Sequence, residues 1–461
     1  MILAAALAAV VTTQTSIAHG VFLYYAYARD ASVAAFAKAA EQTPTPPLAY
    51  WGEALAYGPD LNTPMTAENF ARGKAAIERA QALAANATPA ERPYIDAMSL
   101  RYAGTWDNWT SDDAAYRQAM VALASSSPND PNAQLLAAEA LLEHGEATKR
   151  TIALIDGVLA RFPNNAMANH LCIHAYDNLS DRSPALPCAQ RLDTMALPPE
   201  AEHLAHMPAH FWIESGDYAK ALASSERAYQ MLLQLDAAGH RDLSQQRYAS
   251  HDISVGYEAA MMLGNYATAT RWANRLNGLV GAKFAALTAL RFGRYADAAA
   301  AGSDELSGQW IAGAAAIHLG RLADAKAAEA ATRKQYGTPT RGYIPQLFFA
   351  RLAEAEGNDR DARAWLDRAR DNQRADFYAE IIPFVPAGEA LGGYLLRTQR
   401  YPEAIAAFDD CLARYPNDPR ALFGLAQALA AQGKTAEAAQ ARSRFDAAWA
   451  GADTTLSIGD L

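Results

Sequence analysis

A short phrase recurs through the second half of the chain, and it most constrains the fold. Each copy has a glycine, replaced by Gln399 in one copy, then a polar residue, often an aromatic residue or leucine, and an alanine five positions after the first residue. The copies begin at Gly216, Gly264, Gly293, Gly320, Gly357, Gln399 and Gly433. Glycine supplies the left-handed turn that ends one helix, and a small alanine lets the next helix pack closely against it. The phrase therefore predicts a row of antiparallel helix pairs.

The composition agrees with a helical protein. Alanine is abundant, and 51% of the 461 residues are hydrophobic while 20% are charged, which favours a folded chain. Alanine favours helices, whereas strands prefer β-branched residues. We therefore predict an all-α fold, an α-solenoid of antiparallel helix pairs. The net charge is -10 and no dense basic run is present, so nucleic acid is not an expected partner.

The last two copies of the phrase resemble the tetratricopeptide repeat family. The positions that match are Leu391, Gly392, Ala404, Phe408 and Pro416, followed 34 residues later by Leu425, Ala426 and Ala438. Proline-containing segments at 414–419, 161–165 and 128–131 are typical of stops between helices, because proline cannot continue a helix. The resemblance implies a superhelix whose concave groove binds a peptide or a partner protein. We assign residues 19–275 to a helical region with the histidines described below, and residues 276–461 to tetratricopeptide repeats.

The amino terminus resembles a secretory signal. Residues 2–11 are apolar, and Ser16-Ile17-Ala18 is a small-x-small cleavage pattern, although no lysine or arginine precedes the apolar run. Residues 1–18 are therefore predicted to be a signal peptide and the protein to be exported, periplasmic or secreted; without cleavage it would be cytoplasmic. The run is too short for an integral membrane segment. If the protein is exported, a bridge from Cys172 to Cys188 is compatible with this spacing.

Five of the ten histidines fall within 41 residues. His170 and His174 are one helical turn apart, and His203, His206 and His210 share a second helical stripe, so each set projects from one face. Asp177 follows on the side of His174, either as a carboxylate ligand or as the group that orients an imidazole. Two such sets on neighbouring helices predict a transition-metal site for Cu, Zn, Fe, Mn or Ni. Taken singly, these histidines would be interpreted as ordinary core or surface residues.

The same histidines resemble a branch of tetratricopeptide proteins with the motifs His-Leu-x-Ile-His-x-x-Glu and Gly-His-Leu-x-His-Met-Pro-x-His. The first motif matches residues 170–177, with Asp177 in place of the glutamate, and the second matches residues 202–210, with Glu202 in place of the glycine. A downstream His-Asn-x-His phrase of that branch keeps only His251 here. The resemblance implies that His251 completes the site, whereas Ser254, at the second histidine position, cannot.

Two functions follow from these patterns. In the first, the chain is an interaction module and the metal ion only stabilises its structure. In the second, three histidines leave an open coordination position, and the metal is the active centre of an oxidative or hydrolytic enzyme. Pro208 either kinks the helix that carries the second histidine set or marks the start of a new helix. No residue is assigned a catalytic role by the sequence.

Overall fold

The computed structural model describes residues 16–461 except 178, 180, 240–247, 281–282, 301–305, 338–342 and 376–384. Throughout the described residues the regular elements are helices, and the only strand-like contact among them is an isolated bridge between Asp60 and Thr63. The predicted all-α fold of paired helices is confirmed. Residues 1–15 of the predicted signal peptide lie outside the described residues. No described helix is both long and apolar enough to span a membrane.

The chain divides into two compact units, Met1–Pro208 and Ala209–Leu461. Successive helices of the first unit pack against one another, as α2 does on α3 and α6 on α7. The predicted domain boundary after residue 275 stays a prediction. The helices of the first unit, α1 to α11 in order, are 16–25, Arg29–Ala40, Pro47–Ala56, Ala67–Ala82, Arg92–Arg101, Trp109–Ser126, Pro131–Leu142, Lys149–Leu159, Ala166–Asp177, Leu186–Thr194 and Glu202–His206.

The second unit repeats the pairing, with α13 on α14, α20 on α21, α22 on α23 and α24 on α25. Helix α12, which begins at Pro208, is short. Helices α12 to α25 in order are Pro208–Glu214, Tyr218–Ala237, Ala249–Met262, Tyr266–Val280, Lys283–Arg291, Tyr295–Ala300, Leu306–His318, Leu322–Tyr336, Tyr343–Ala355, Asp359–Ala375, Ala387–Arg397, Tyr401–Arg414, Pro419–Ala431 and Thr435–Ala448.

The turns between paired helices have the backbone that the repeated phrase predicted. The glycine of every copy has a positive φ, for example 77° at Gly216 and 74° at Gly433. In the copy without glycine, Gln399 takes the same conformation with a φ of 60°. Left-handed backbone disfavours side chains with a Cβ atom, so this glutamine occupies a glycine position at an energetic cost.

Close helix contacts explain the glycines of the last repeats. A Cβ atom on Gly392 in α22 would lie 2.4 Å from the Phe408 ring in α23, and one on Gly424 in α24 would lie 2.2 Å from it. The fully buried phenylalanine therefore packs directly against the backbones of both neighbouring helices. The stop at residues 414–419 contains Asp418, whose carboxylate caps α24 by accepting hydrogen bonds from the backbone N–H groups of Arg420 and Ala421.

Candidate metal centre

Helix α9 carries the first two histidines of the predicted site. The helix begins after Asn165, whose side-chain oxygen accepts a hydrogen bond of 2.9 Å from the backbone N–H of Ala168. His170 and His174 then lie one turn apart, with their ring centroids separated by 4.8 Å. The two imidazoles share one face of α9, as their spacing predicted.

Helix α11 supplies a third imidazole to the same place. The ring centroid of His203 lies 5.3 Å from that of His170, and both residues are fully buried. One ring nitrogen from each of His170, His174 and His203 lies within 4.8 Å of the other two. Ligands 2.0–2.1 Å from a tetrahedral ion would be about 3.4 Å apart, so side-chain shifts of about 1 Å would let all three nitrogens reach one ion.

Asp177 orients one of these imidazoles. Nδ1 of His174 lies 2.9 Å from Oδ2 of Asp177, and the backbone carbonyl of Asp177 accepts a hydrogen bond of 2.9 Å from Nε of Arg182. With Nδ1 protonated and donating to the carboxylate, Nε2 of His174 carries the lone pair that a metal requires. Of the two roles that the sequence left open for Asp177, this contact favours orientation of the imidazole over direct ligation.

His206 lies beside the three-histidine group. It is fully buried in α11, and its ring centroid is 5.8 Å from that of His203. Helix α11 ends at His206 and α12 begins at Pro208, and Met207 between them keeps helical backbone angles, with a φ of -49° and a ψ of -38°. The helical hydrogen bonding is therefore interrupted at the proline, which is compatible with both interpretations of Pro208.

Tyr27 is a site residue that the sequence did not reveal. Its ring stacks on His203 with centroids 5.1 Å apart and an interplanar angle of 8°, and it meets the edge of His170 at 4.8 Å. The residue is buried and has a φ of 59°, a conformation that is uncommon for a tyrosine. Such backbone strain is typical of positions that the surrounding structure must fix. Nothing in the sequence near Tyr27 signals this contact, because the histidines are far away along the chain.

A disulfide fixes the histidine helix to its neighbour. Cys172, between His170 and His174 on α9, is bonded to Cys188 on α10. The remaining cysteine, Cys411, is buried and free. The bridge that the sequence allowed is therefore present, and it restrains the helix that carries two of the three imidazoles.

The second unit brings two more of the predicted residues together. Nε2 of His210 on α12 lies 3.2 Å from Nε2 of His251 on α14, and the rings stack at 5.2 Å. Two nitrogens at this separation have the spacing of two ligands on one ion. Ser254 donates its hydroxyl to the backbone carbonyl of His251 at 2.7 Å.

Another acidic group with a histidine, also in the first unit, has a different character. Asp113, Glu143 and His144 lie close enough together to hold an ion. However, the buried guanidinium of Arg101 contacts Asp113 at 2.6 Å and Glu143 at 3.1 Å. Because the guanidinium already pairs with both carboxylates, we interpret the group as an ion-pair network, and His144 provides a control for the site of His170, His174 and His203.

Comparison with known proteins identifies the repeat. Residues 395–444 match the family model of the tetratricopeptide repeat. This range covers α23, α24 and parts of α22 and α25. The chain is therefore an all-helical protein of paired helices that contains a tetratricopeptide repeat in its second unit, as the sequence predicted. No curated protein matches the chain.

Several solved structures are similar in fold. The APC/C hetero-tetramer Cut9-Hcn1 is 10% identical, with a TM-score of 0.34 over 80% of this chain and 81% of that chain. The human IFIT1 dimer with PPP-AAAA is 13% identical, with a TM-score of 0.35 over 90% and 86%. Naa15/Naa10 bound to HypK-THB is 12% identical, with a TM-score of 0.25 over 91% and 68%. None of these similarities bears on function.

Proposed function

We propose that this protein is a tetratricopeptide-type interaction module that binds a transition-metal ion through His170, His174 and His203. The observation that carries the proposal is the convergence of three imidazole nitrogens within 4.8 Å of one another in the first unit. Imidazole is a good ligand for Cu, Zn, Fe, Mn and Ni, so the residues fit an ion of this group. Asp177 supplies the carboxylate that commonly orients a metal-bound histidine. His210 and His251 form a second candidate pair of ligands within the second unit.

Burial favours a structural role for the ion. His170 and His203 have no exposed surface, and 9% of the His174 side chain is exposed. A substrate would need a path to an open coordination position on the ion. An ion that only holds α9 and α11 together needs no such path. We therefore give preference to the interaction module with a structural metal, whose partner is a peptide or protein bound along the helix pairs. The oxidative or hydrolytic enzyme is the alternative that the experiment below must eliminate.

Export of the protein is part of this proposal. A disulfide between Cys172 and Cys188 is typical of proteins that fold in an oxidising compartment. It supports the interpretation of residues 1–18 as a signal peptide and a periplasmic or secreted location. Mass spectrometry of the mature protein, with and without reduction, tests both the cleavage and the bridge.

Thermal unfolding with and without a chelator tests the proposed function. An ion that binds the native state stabilises it, so the chelator should lower the melting temperature of wild type by more than it lowers that of His203→Ala. His144→Ala, outside the site, should respond to the chelator as wild type does. An equal response of wild type and His203→Ala would contradict the proposal.

The variant His206→Ala distinguishes the structural role from the catalytic one. If the ion is structural, this change should lower thermal stability without altering any metal-dependent hydrolysis or oxidation. If wild type shows such an activity and His206→Ala loses it while retaining its fold and its metal, the protein is a metal-dependent enzyme.

A further inference from the structure

Residues 452–461 lie along the helices of the second unit as a segment of mainly irregular backbone. At its start, the Asp453 carboxylate accepts hydrogen bonds from the backbone N–H groups of Tyr266 at 2.6 Å and Ala267 at 3.1 Å. At its other end, Leu461 is buried, with 8% of its surface exposed. The segment therefore occupies a groove formed by helices that are distant from it in sequence.

Three arginines of the groove hold the backbone of this segment. Arg351 of α20 donates to the carbonyl of Gly459 at 2.9 Å, and Arg397 of α22 donates to the carbonyl of Leu461 at 2.7 Å. Arg420 of α24 donates to the carbonyl of Asp460 at 3.1 Å. Since every peptide has these carbonyl groups, this part of the recognition would accept a segment from another protein.

The side chains of Asp460 and Leu461 make the contacts that depend on the sequence of the bound segment. The hydroxyl of Tyr295 donates to Oδ1 of Asp460 at 2.7 Å. The side chain of Leu461 packs so close to α22 that a Cβ atom on Gly393 would lie 2.5 Å from the Leu461 Cβ. The groove thus recognises an acidic residue followed by an aliphatic one.

The groove is organised by contacts that do not involve the segment. Glu354 accepts hydrogen bonds from Arg351 at 2.8 Å and from Arg397 at 2.7 Å, which fixes both guanidinium groups. Leu461 is the only buried residue between positions 452 and 461, so hydrogen bonds rather than buried apolar surface hold most of the segment in place. Beside it lies a cavity of about 140 Å³, whose apolar lining includes Leu287, Trp310 and Phe348.

We propose that residues 452–461 are an intramolecular occupant of this groove, and that the groove binds partner peptides with the same acidic-aliphatic chemistry by displacing them. The inference rests on the interaction role proposed above and identifies the class of partner. A covalently attached segment competes at an effective concentration in the millimolar range, so it lowers the apparent affinity of any partner.

Fluorescence anisotropy with a labelled, amidated peptide of residues 452–461 tests this proposal in the full chain. Amidation retains the last carbonyl group, to which Arg397 donates. The double variant Asp460→Asn/Leu461→Ser weakens the attached segment and leaves the groove intact. It should bind the peptide at least tenfold more tightly than wild type. If this variant keeps its helical circular dichroism but binds no more tightly than wild type, the proposal is wrong.

Two glycine variants in that background provide matched controls. Gly393→Ala should abolish peptide binding, because its Cβ atom occupies the place of the leucine. Gly278→Ala, in α15, adds a Cβ atom that meets nothing within 4 Å and should leave binding unchanged. Binding that survives Gly393→Ala would overturn the assignment of this groove.

Hydrogen exchange of the wild-type chain gives a measurement that does not depend on the double variant. Excess unlabelled peptide should increase exchange at residues 457–461 several-fold, and unchanged exchange in the presence of excess peptide would contradict displacement. Metal analysis of the same protein reports on the first unit, so failure here would leave the metal proposal intact.

Discussion

Nδ1 of His174 and Oδ2 of Asp177 are 2.9 Å apart, one helical turn from each other on α9. This contact selects the imidazole tautomer whose Nε2 can bind a metal. We expect Asp177→Asn to weaken metal affinity by about 10–100-fold, the usual effect of losing such a carboxylate. Asp177→Glu, which restores the residue of the similar motif, should bind metal more tightly than Asp177→Asn. Competition titration with a chromophoric chelator measures both affinities, and an unchanged affinity in Asp177→Asn would exclude the orienting role.

Tyr27 makes a second prediction about the site. Its ring stacks on His203, so the ring rather than the hydroxyl is expected to position the imidazole. Tyr27→Phe should keep metal affinity within about threefold, because it retains the stacked ring. Tyr27→Gly would relieve the left-handed backbone and yet lower the affinity, because it leaves His203 without its stacking neighbour. The competition titration measures the metal affinity of both variants. A large loss of affinity in Tyr27→Phe would indicate that the hydroxyl itself contributes.

Asp177 and Tyr27 show which parts of the site the sequence could predict and which it could not. Helical periodicity was sufficient to place His170 and His174 on one face of α9. The approach of His203 to this pair depends on how α11 packs near α9, and the sequence predicted only that the two helices are neighbours. Tyr27 was missed because its contact is made by tertiary packing and leaves no local pattern. The arginine contacts of residues 458–461 were missed for the same reason. By contrast, the turn glycines were readable, because a left-handed backbone is a local requirement.

Gln399 provides a test of that local requirement. It has a φ of 60° at the turn where the other copies of the phrase have glycine. Gln399→Gly should stabilise the protein by about 0.5–1 kcal/mol by removing the cost of a Cβ atom in this conformation. Gly433→Ala, at the equivalent turn with a φ of 74°, should destabilise it by about 1 kcal/mol. Differential scanning calorimetry should show shifts of opposite sign, and a lower melting temperature for Gln399→Gly would contradict the account.

His318 predicts a dependence of stability on pH in the second unit. Burial, and then the charge of Arg351, lower the pKa of His318 from 6.5 to about 4. Between these values the unfolded chain binds a proton that the native chain does not, so the contribution of His318 to stability falls as the pH falls. The other charged groups that act on it are Asp460, Arg397 and Glu354.

We expect the stability difference between wild type and His318→Gln to decrease by about 1–2 kcal/mol when the pH is lowered from 7 to 4.5, allowing for partial exposure of the imidazole. Urea unfolding of both proteins at the two pH values measures this difference and cancels the titration of groups that they share. A difference that is constant with pH would show that the pKa of His318 is not lowered in the native state.

Elemental analysis of the purified full chain tests the central claim, a metal ion held by His170, His174 and His203. Wild type, after equilibration with a transition metal and removal of the excess, should retain a stoichiometric ion, and His144→Ala should retain as much. His203→Ala should lose the ion bound in the first unit, while His251→Ala should lose at most an ion bound in the second. Wild-type protein that retains no metal, or His203→Ala that retains as much metal as His144→Ala, would show that the three histidines do not form a metal site.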